Sequence, residues 1–486
     1  MDWGRTIMKA IFLCSLDQKT LRRVPLSPDS RPIALQVGNQ DGNIGLSIKN
    51  GVSRTTDLSL QAQDLIEIAA YLYQSDRLVA RDTDTWTRDL DYHVAVWDLD
   101  KWQQLTPLLN RIASFLSGDR IKFYFYARRN SSNWIPKLPT YADSFDGTCL
   151  YSGGMDSSSG ISWLIRKNLR AVAVTQYSNR LNDRSSLLHD IGKVGGLEMP
   201  LVGFRLVPRH KKVINCGSNL PVKCLKEDDS SWRLRTFFYL SIAAVTTNAL
   251  HLDKIYMFEN GILAHNLPFD PYVIGARSTR HAHPTFLELS RELFGKLFEQ
   301  EIKILNPFQF YTKGLEALPF GELAKTYFSD PSLVARTNSC WYFPNMVARL
   351  AHSSSRKISH CGSCMPCKIR RLAVYEAGLE SLESVEHQYF VDPLSNPVGP
   401  KRYASRPALE KFAYQQHNRN IMRLRHYVER ILSCKSLKEF SREWPQVFDF
   451  EGKNLTDRRV PSVINSIYDL YNRFANHVAS LNGIVD

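Results

Sequence analysis

Thr148-Cys149-Leu150-Tyr151-Ser152-Gly153-Gly154-Met155-Asp156-Ser157 passes from an apolar run straight into two glycines, a carboxylate and flanking hydroxyls. The first four residues read as a buried strand, and Ser157 to Lys167 reads as the helix that follows. A strand, a turn poor in side chains and a helix start make a phosphate-binding loop. Backbone N–H groups approach an anion closely only where side chains are absent, and the helix adds the positive end of its dipole. The loop is therefore expected to hold a nucleotide through Ser152, Gly153, Gly154, Met155, Asp156 and Ser157, with Asp156 placed as a ligand for Mg²⁺. No Gly-Lys-Ser/Thr follows, so the lysine of a Walker A loop is missing, and the Gly-x-Gly-x-x-Gly spacing of a dinucleotide site fails. The plain alternative is an ordinary Ser/Gly turn.

Outward from the loop, strands and helices alternate. Ala171 to Tyr177, Leu201 to Leu206 and Lys254 to Phe258 read as strands, and Trp232 to Leu250 as a helix. This alternation predicts an α/β fold with a parallel doubly wound sheet over residues 146–375, covered on both faces, with the ligand beyond the carboxyl ends of the strands. Upstream, Ile33 to Val37, His93 to Trp97 and Ile121 to Ala127 read as strands, and Leu58 to Arg81 and Trp102 to Leu116 as helices. That mixture predicts an N-terminal α+β domain over residues 1–145, joined through a linker from Pro136 and Pro139 to Gly147. Downstream, Lys368 to Gly378 reads as a short helix. Apolar periodicity at Met422, Tyr427 and Ile431, and again at Ile467, Leu470 and Phe474, predicts a helical region over residues 376–486.

Cys361-Gly362-Ser363-Cys364-Met365-Pro366-Cys367 spaces three thiols as a metal knuckle. Tetrahedral zinc needs a fourth ligand, and Cys340 is the nearest upstream thiol, with His360 and His352 as rivals. Four thiolates would close a structural Zn²⁺ site. Cys14, Cys149, Cys216, Cys224 and Cys434 stand singly, and an odd total of nine argues against a disulfide framework.

Ser152 to Ser157 matches the Ser-Gly-Gly-x-Asp-Ser signature of the PP-loop ATP pyrophosphatases throughout. Taken with Thr337-Asn338-Ser339-Cys340 and the Cys361–Cys367 knuckle, the chain resembles the QueC family, 7-cyano-7-deazaguanine synthases, over about residues 146–375. Pro307 to Lys313 resembles the family's Pro-Leu…Thr-Lys element, and Arg235 to Leu240 its arginine-containing helix start. The length departs from a single-domain synthase, with some 145 residues before the loop and about 110 after the knuckle. In layout the chain looks most like the enlarged QueC-like proteins of anti-phage defence operons, the QatC type of the Qat system.

The resemblance implies an adenine nucleotide alpha hydrolase-like sheet and an enzyme that splits ATP between the α and β phosphates. The carboxylate of 7-carboxy-7-deazaguanine becomes an acyl-adenylate, pyrophosphate leaves, and an amine displaces AMP. In the QueC family the amine is ammonia, and a second ATP dehydrates the amide to a nitrile. On this reading the loop amides and Mg²⁺ at Asp156 neutralise pyrophosphate, while Lys313 and Arg235 stabilise charge on the reacting phosphate. Zinc holds the fold. The added N-terminal mass could present a different amine, such as the terminus of a protein partner from a defence operon.

The organic substrate should meet the segment between the last strand and the knuckle. Glu259 and Asn260 emerge at the ligand edge, where a carboxylate can accept the N–H donors of a guanine-like ring. Arg280 could pair with a substrate carboxylate or a phosphate. A simple Glu259–Arg280 ion pair is the structural alternative, and His281 and His283 read as polar loop residues.

Hydrophobic residues at 43% and charged residues at 23% describe a globular protein. The sequence has no apolar run long enough to span a membrane and no signal-peptide pattern at Met1 to Arg5, so a cytoplasmic location is expected. A formal net charge of +14 invites a nucleic-acid partner, but there is no long Lys/Arg block and no nucleic-acid module, and a basic surface equally suits ATP, an acidic substrate or an acidic protein. Two other classes follow from the same features: a tRNA-modifying PP-loop enzyme, and a non-catalytic nucleotide sensor within a defence complex.

Overall fold

The computed structural model describes residues 8–26, 32–38, 42–49, 55–81, 86–129, 137–177, 181–209, 232–269, 279–327, 332–342, 345–448 and 459–481. Their strands are β1 (Met8–Cys14), β2 (Ile33–Leu35), β3 (Ile44–Lys49), β4 (Thr55–Asp57), β5 (Arg88–Val96), β6 (Arg120–Ala127), β7 (Lys137–Pro139), β8 (Gly147–Leu150), β9 (Ala171–Gln176), β10 (Leu201–Pro208), β11 (Lys254–Tyr256) and β12 (Lys303–Leu305). Cys216 and Cys224 lie outside the described residues.

The site-bearing sheet has the order β12-β11-β8-β9-β10-β3, parallel throughout except for β3. From β8 the chain steps outward to β9 and β10, then returns through the helix Arg235–Ala249 to place β11 on the other side of β8. That reversal is the doubly wound order, with its switch point between β8 and β11. Strand side chains alternate between two covered faces. Cys149, Tyr151, Ala171, Ala173, Tyr256 and Phe258 pack with the helices Met155–Arg166, Leu181–Gly195 and Lys313–Tyr327. Val172, Val174, Val202, Phe204 and Ile255 face the opposite way, toward the helices Leu60–Ser75 and Arg235–Ala249. The helix Met155–Arg166 approaches the sheet closely because Gly160 lacks a side chain: a Cβ there would lie 2.0 Å from the Phe258 ring.

The N-terminal region differs from the α+β expectation. Its sheet, β2-β1-β5-β6, is wholly parallel, and the helices Leu60–Ser75 and Leu99–Ser117 supply crossovers. Nor does the region close on itself. Strand β3 crosses to pair antiparallel with β10, and one continuous core runs from Phe12, Tyr92 and Trp102 through Ile66 and Tyr71 to Phe237, Val174 and Ile255. Arg88, fully buried, bonds Asp76 and Asp119 at 2.6 Å each, and the second Asp76 oxygen accepts the Leu234 N–H at 3.0 Å. A buried pair of this kind is costly to break from one side, and the Leu234 bond ties it to the start of the helix Arg235–Ala249. The segment read as a linker contains β7, which pairs with β4; Pro136 lies outside the described residues.

The C-terminal helices Ala408–Ser433 and Arg459–Ser480 bury Tyr427, Ile431, Ile467, Leu470 and Phe474 as expected. Met422 is the exception: it is 53% exposed, and Ile421 and Leu424 take the core positions beside it. The Tyr471 hydroxyl joins the Ile262 carbonyl and the Leu267 N–H, so this region clamps the chain just beyond β11.

Candidate functional site

Beyond β8 the chain turns through Gly153, whose φ of +75° lies in the left-handed region that disfavours side chains. The Ser152 hydroxyl accepts the Gly154 N–H at 3.2 Å and lies 3.0 Å from the Ser157 hydroxyl, which in turn bonds the Gly154 carbonyl. Gly154 is the N-cap residue of Met155–Arg166 and places no side chain over the first helical turn. The result is a hydroxyl-braced turn at the carboxyl edge of the sheet, open to an anion. The Asn338 N–H bonds the Gly153 carbonyl at 3.2 Å, so the Thr337–Cys340 segment buttresses the loop.

Asp156, in the first turn, is where the predicted residues converge. Its carboxylate bonds the Lys313 ammonium and accepts the Asn260 side-chain N–H at 3.0 Å. Burial alone would raise its pKa, but Lys313 and the neighbouring hydrogen bonds hold it down at about 2. Lys313 opens the helix Lys313–Tyr327; burial opposes its charge, and Asp156, Glu316 and Glu259 outweigh that and keep it protonated. Asn260 caps the helix Gly261–His265 and reaches Glu259 at 3.4 Å, while Asn306 clasps the Glu259 backbone from both sides. Glu259, Asn260, Asp156 and Lys313 are thus one cluster.

Two predicted residues lie elsewhere. Arg235 is exposed and stands over the Trp232 and Tyr239 rings at 5.7 and 5.8 Å, because its position on the first helical turn faces outward beside β9. Arg280 stands 4.6 Å from the Phe115 ring and donates to the Phe115 carbonyl at 3.2 Å, binding the N-terminal region. The Glu259 carboxylate is met by His281 Nε2 at 3.0 Å, and not by Arg280. His283 caps the helix Pro284–Phe298.

Sequence reasoning missed Glu316 and Arg184. Glu316 sits one turn after Lys313, fully buried, with neither oxygen receiving a hydrogen bond; burial and the adjacent Asp156 push its pKa well up. Its spacing from Lys313 was the available signal. Arg184 bonds the Thr175 hydroxyl at 2.7 Å and the Gln176 carbonyl at the end of β9, and its side chain would lie 3.2 Å from a Cβ on Gly153. Only the crossover geometry brings it to the loop.

The sulfur atoms of Cys340, Cys361, Cys364 and Cys367 all lie within 4.8 Å of one another, and all four residues are buried. Four sulfurs at about 2.3 Å from a tetrahedral ion would be about 3.8 Å apart. The Cys361–Cys367 and Cys364–Cys367 separations of 3.8 and 3.4 Å suit that arrangement. Burial would keep Cys361 protonated, but hydrogen bonds from the other three cysteines and Ser363 pull it well below the ordinary thiol range. Gly362 turns the knuckle with φ +71°, and buried Lys368 adds a cation beside it, anchored to the Pro393 carbonyl at 2.8 Å. This cluster could hold a metal ion such as zinc. Neither rival joins it: the His360 ring bonds Ser359 through Nδ1, and His352 is exposed on Asn345–Ser354.

No helix among the described residues is long and apolar enough to cross a membrane. A scan against protein-family models matches none of them, and a search of the curated proteins gives no match.

Proposed function

We propose that the chain is a QueC-like PP-loop ATP pyrophosphatase that adenylates the carboxylate of a 7-deazaguanine acid and couples it to an amine, releasing AMP and pyrophosphate. The observation that carries this reading is the convergence of Asp156, Lys313 and Asn260 under a left-handed glycine turn at the switch point of a doubly wound sheet. Ligands in such sheets bind at that place.

The loop amides of Gly153 to Ser157 receive the β and γ phosphates, and Asp156 supplies a ligand to Mg²⁺, which when bound offsets phosphate charge. Lys313 stabilises charge developing on the α phosphate. Arg184, held beside Gly153, takes the role expected of Arg235, which lies exposed over its own aromatic neighbours. Glu259, oriented by Asn306 and paired with His281, faces the deazaguanine ring as acceptor. Cys340, Cys361, Cys364 and Cys367 would hold Zn²⁺ with no open position, which would fix the Thr337–Cys340 segment against the loop in a structural role.

A cytoplasmic defence setting with a protein amine as acceptor extends the same reading. A thiolation chemistry on tRNA is less well served, since Cys149, the thiol in β8, is buried and pushed up to about 12, and the clustered thiols face one another. The test is incubation with ATP, Mg²⁺, 7-carboxy-7-deazaguanine and either ammonia or operon partner proteins, with nucleotide products separated and partners weighed. AMP and an amide or conjugate are expected, abolished by Asp156→Ala. Turnover to ADP, or none with any amine, counts against the proposal.

A further inference from the structure

We infer that Glu316 is a second protein ligand of the divalent cation that accompanies the nucleotide, so that Asp156 and Glu316 hold that ion together. This rests on the nucleotide reading above. The Glu316 side chain is 0% exposed, and neither of its oxygens receives a hydrogen bond. A buried carboxylate that receives no hydrogen bond is expensive, costing several kcal/mol where no cation or donor fully compensates it. Its compensation is poor here: the Lys313 ammonium lies 3.8 Å from Oε1 and is already engaged by Asp156.

Nor can Glu316 turn away to solvent. The Thr312 hydroxyl bonds Glu376 at 2.5 Å, and a Cβ on Gly314 would lie 2.3 Å from Glu376, so the start of this helix is pinned against the helix Met365–Glu376. Lys313 therefore faces three acids, Asp156, Glu316 and Glu259. A polyphosphate brought over the adjoining loop would set its negative charge beside Asp156 and Glu316, where carboxylate charge is already disfavoured by burial and by the neighbouring acid. A divalent cation removes the conflict. Mg²⁺ suits this donor set, because it is commonly bound by one or two protein carboxylates and completed by phosphate oxygens and water.

The competing account makes Glu316 a neutral carboxyl that donates its proton to Asp156. Glu316→Gln separates the two, since glutamine keeps the size and an N–H donor but removes the charge. Mn²⁺ binding to the full-length, zinc-loaded protein is followed by electron paramagnetic resonance with α,β-methylene-ATP, and analogue binding is measured separately by equilibrium dialysis. Mn²⁺ affinity is expected to fall about ten- to a hundredfold in Glu316→Gln, with the melting temperature and zinc content retained, and to fall less in Glu316→Asp, which keeps the charge. Wild-type Mn²⁺ affinity in Glu316→Gln, or equal loss in both variants, overturns the inference while leaving nucleotide binding intact. Failure of the wild-type protein to bind the analogue at all overturns the nucleotide reading instead.

Discussion

Replacing Lys313 by methionine removes the ammonium from Asp156 while keeping a side chain of similar length, and the cost can be worked from the carboxylate it abandons. Asp156 is held at about 2 against an ordinary 3.8. At about 1.36 kcal/mol per pH unit, that net displacement, in which Lys313 is the largest lowering influence and Asn260 a lesser one against burial, is worth about 2 kcal/mol at neutral pH. Both side chains are largely buried, at 18% and 4% exposure, so solvent screening removes little of it. The loss can reach about 3–5 kcal/mol if the carboxylate stays charged without a partner, and protonation of Asp156 sets the lower figure. The assay is a double-mutant cycle: urea denaturation of wild type, Lys313→Met, Asp156→Asn and the double variant, followed by tryptophan fluorescence at pH 7. A coupling of about 2 kcal/mol is expected, with the double variant more stable than Lys313→Met alone. Additive effects within about 0.5 kcal/mol would refute the electrostatic reading of this cluster.

Three further outcomes follow from the same geometry. The purified protein should carry stoichiometric zinc by elemental analysis, and Cys364→Ser should lose it together with thermal stability; a zinc-free protein melting at the wild-type temperature would contradict the metal assignment. Gly362→Ala should cost far more than Gly378→Ala in thermal melts, because both have positive φ but only Gly362 lies against a backbone carbonyl, 1.7 Å from the added Cβ; equal losses would contradict this. Acid should destabilise the fold through His265 and His283, whose burial lowers them to about 4 and about 3. The unfolded chain takes up these protons first, below the ordinary 6.5, so stability present above that pH is lost as pH falls, by about 4 kcal/mol for the pair at pH 5. Urea midpoints at pH 7 and pH 5 measure the loss, and His283→Asn, which keeps a cap acceptor, should shrink it.

Much of the sheet was readable because its signals are local. Ala171 to Val174 is a continuous apolar run, Gly153 and Gly154 mark a turn that side chains would block, and the knuckle spacing announces a cluster of thiols. Strand direction and sheet membership were not readable in this way. Met8–Cys14 sits between β2 and β5, the latter more than 70 residues farther on, and its parallel pairing with both makes the N-terminal sheet parallel. Strand β3 joins the other sheet only because β10, some 160 residues later, offers a free edge. The site divides likewise. Asp156, Lys313, Glu259 and Asn260 stand at strand ends and helix starts, which the doubly wound order draws together. Arg235 and Arg280 carry the right chemistry, but the faces they stand on are decided by packing: one lies over Trp232 and Tyr239, the other against Phe115. Met422 erred by a single helical position, since a stripe containing both Ile421 and Met422 does not say which residue points inward.

The claim that the glycine turn grips a triphosphate is met most directly by a crystal of the full chain soaked with Mg²⁺ and α,β-methylene-ATP. The account predicts phosphate oxygens within hydrogen-bond reach of the backbone N–H groups from Gly153 to Ser157, with the α phosphate turned toward Lys313. Density for the nucleotide at another place, or a turn that stays empty at saturating analogue, would contradict it.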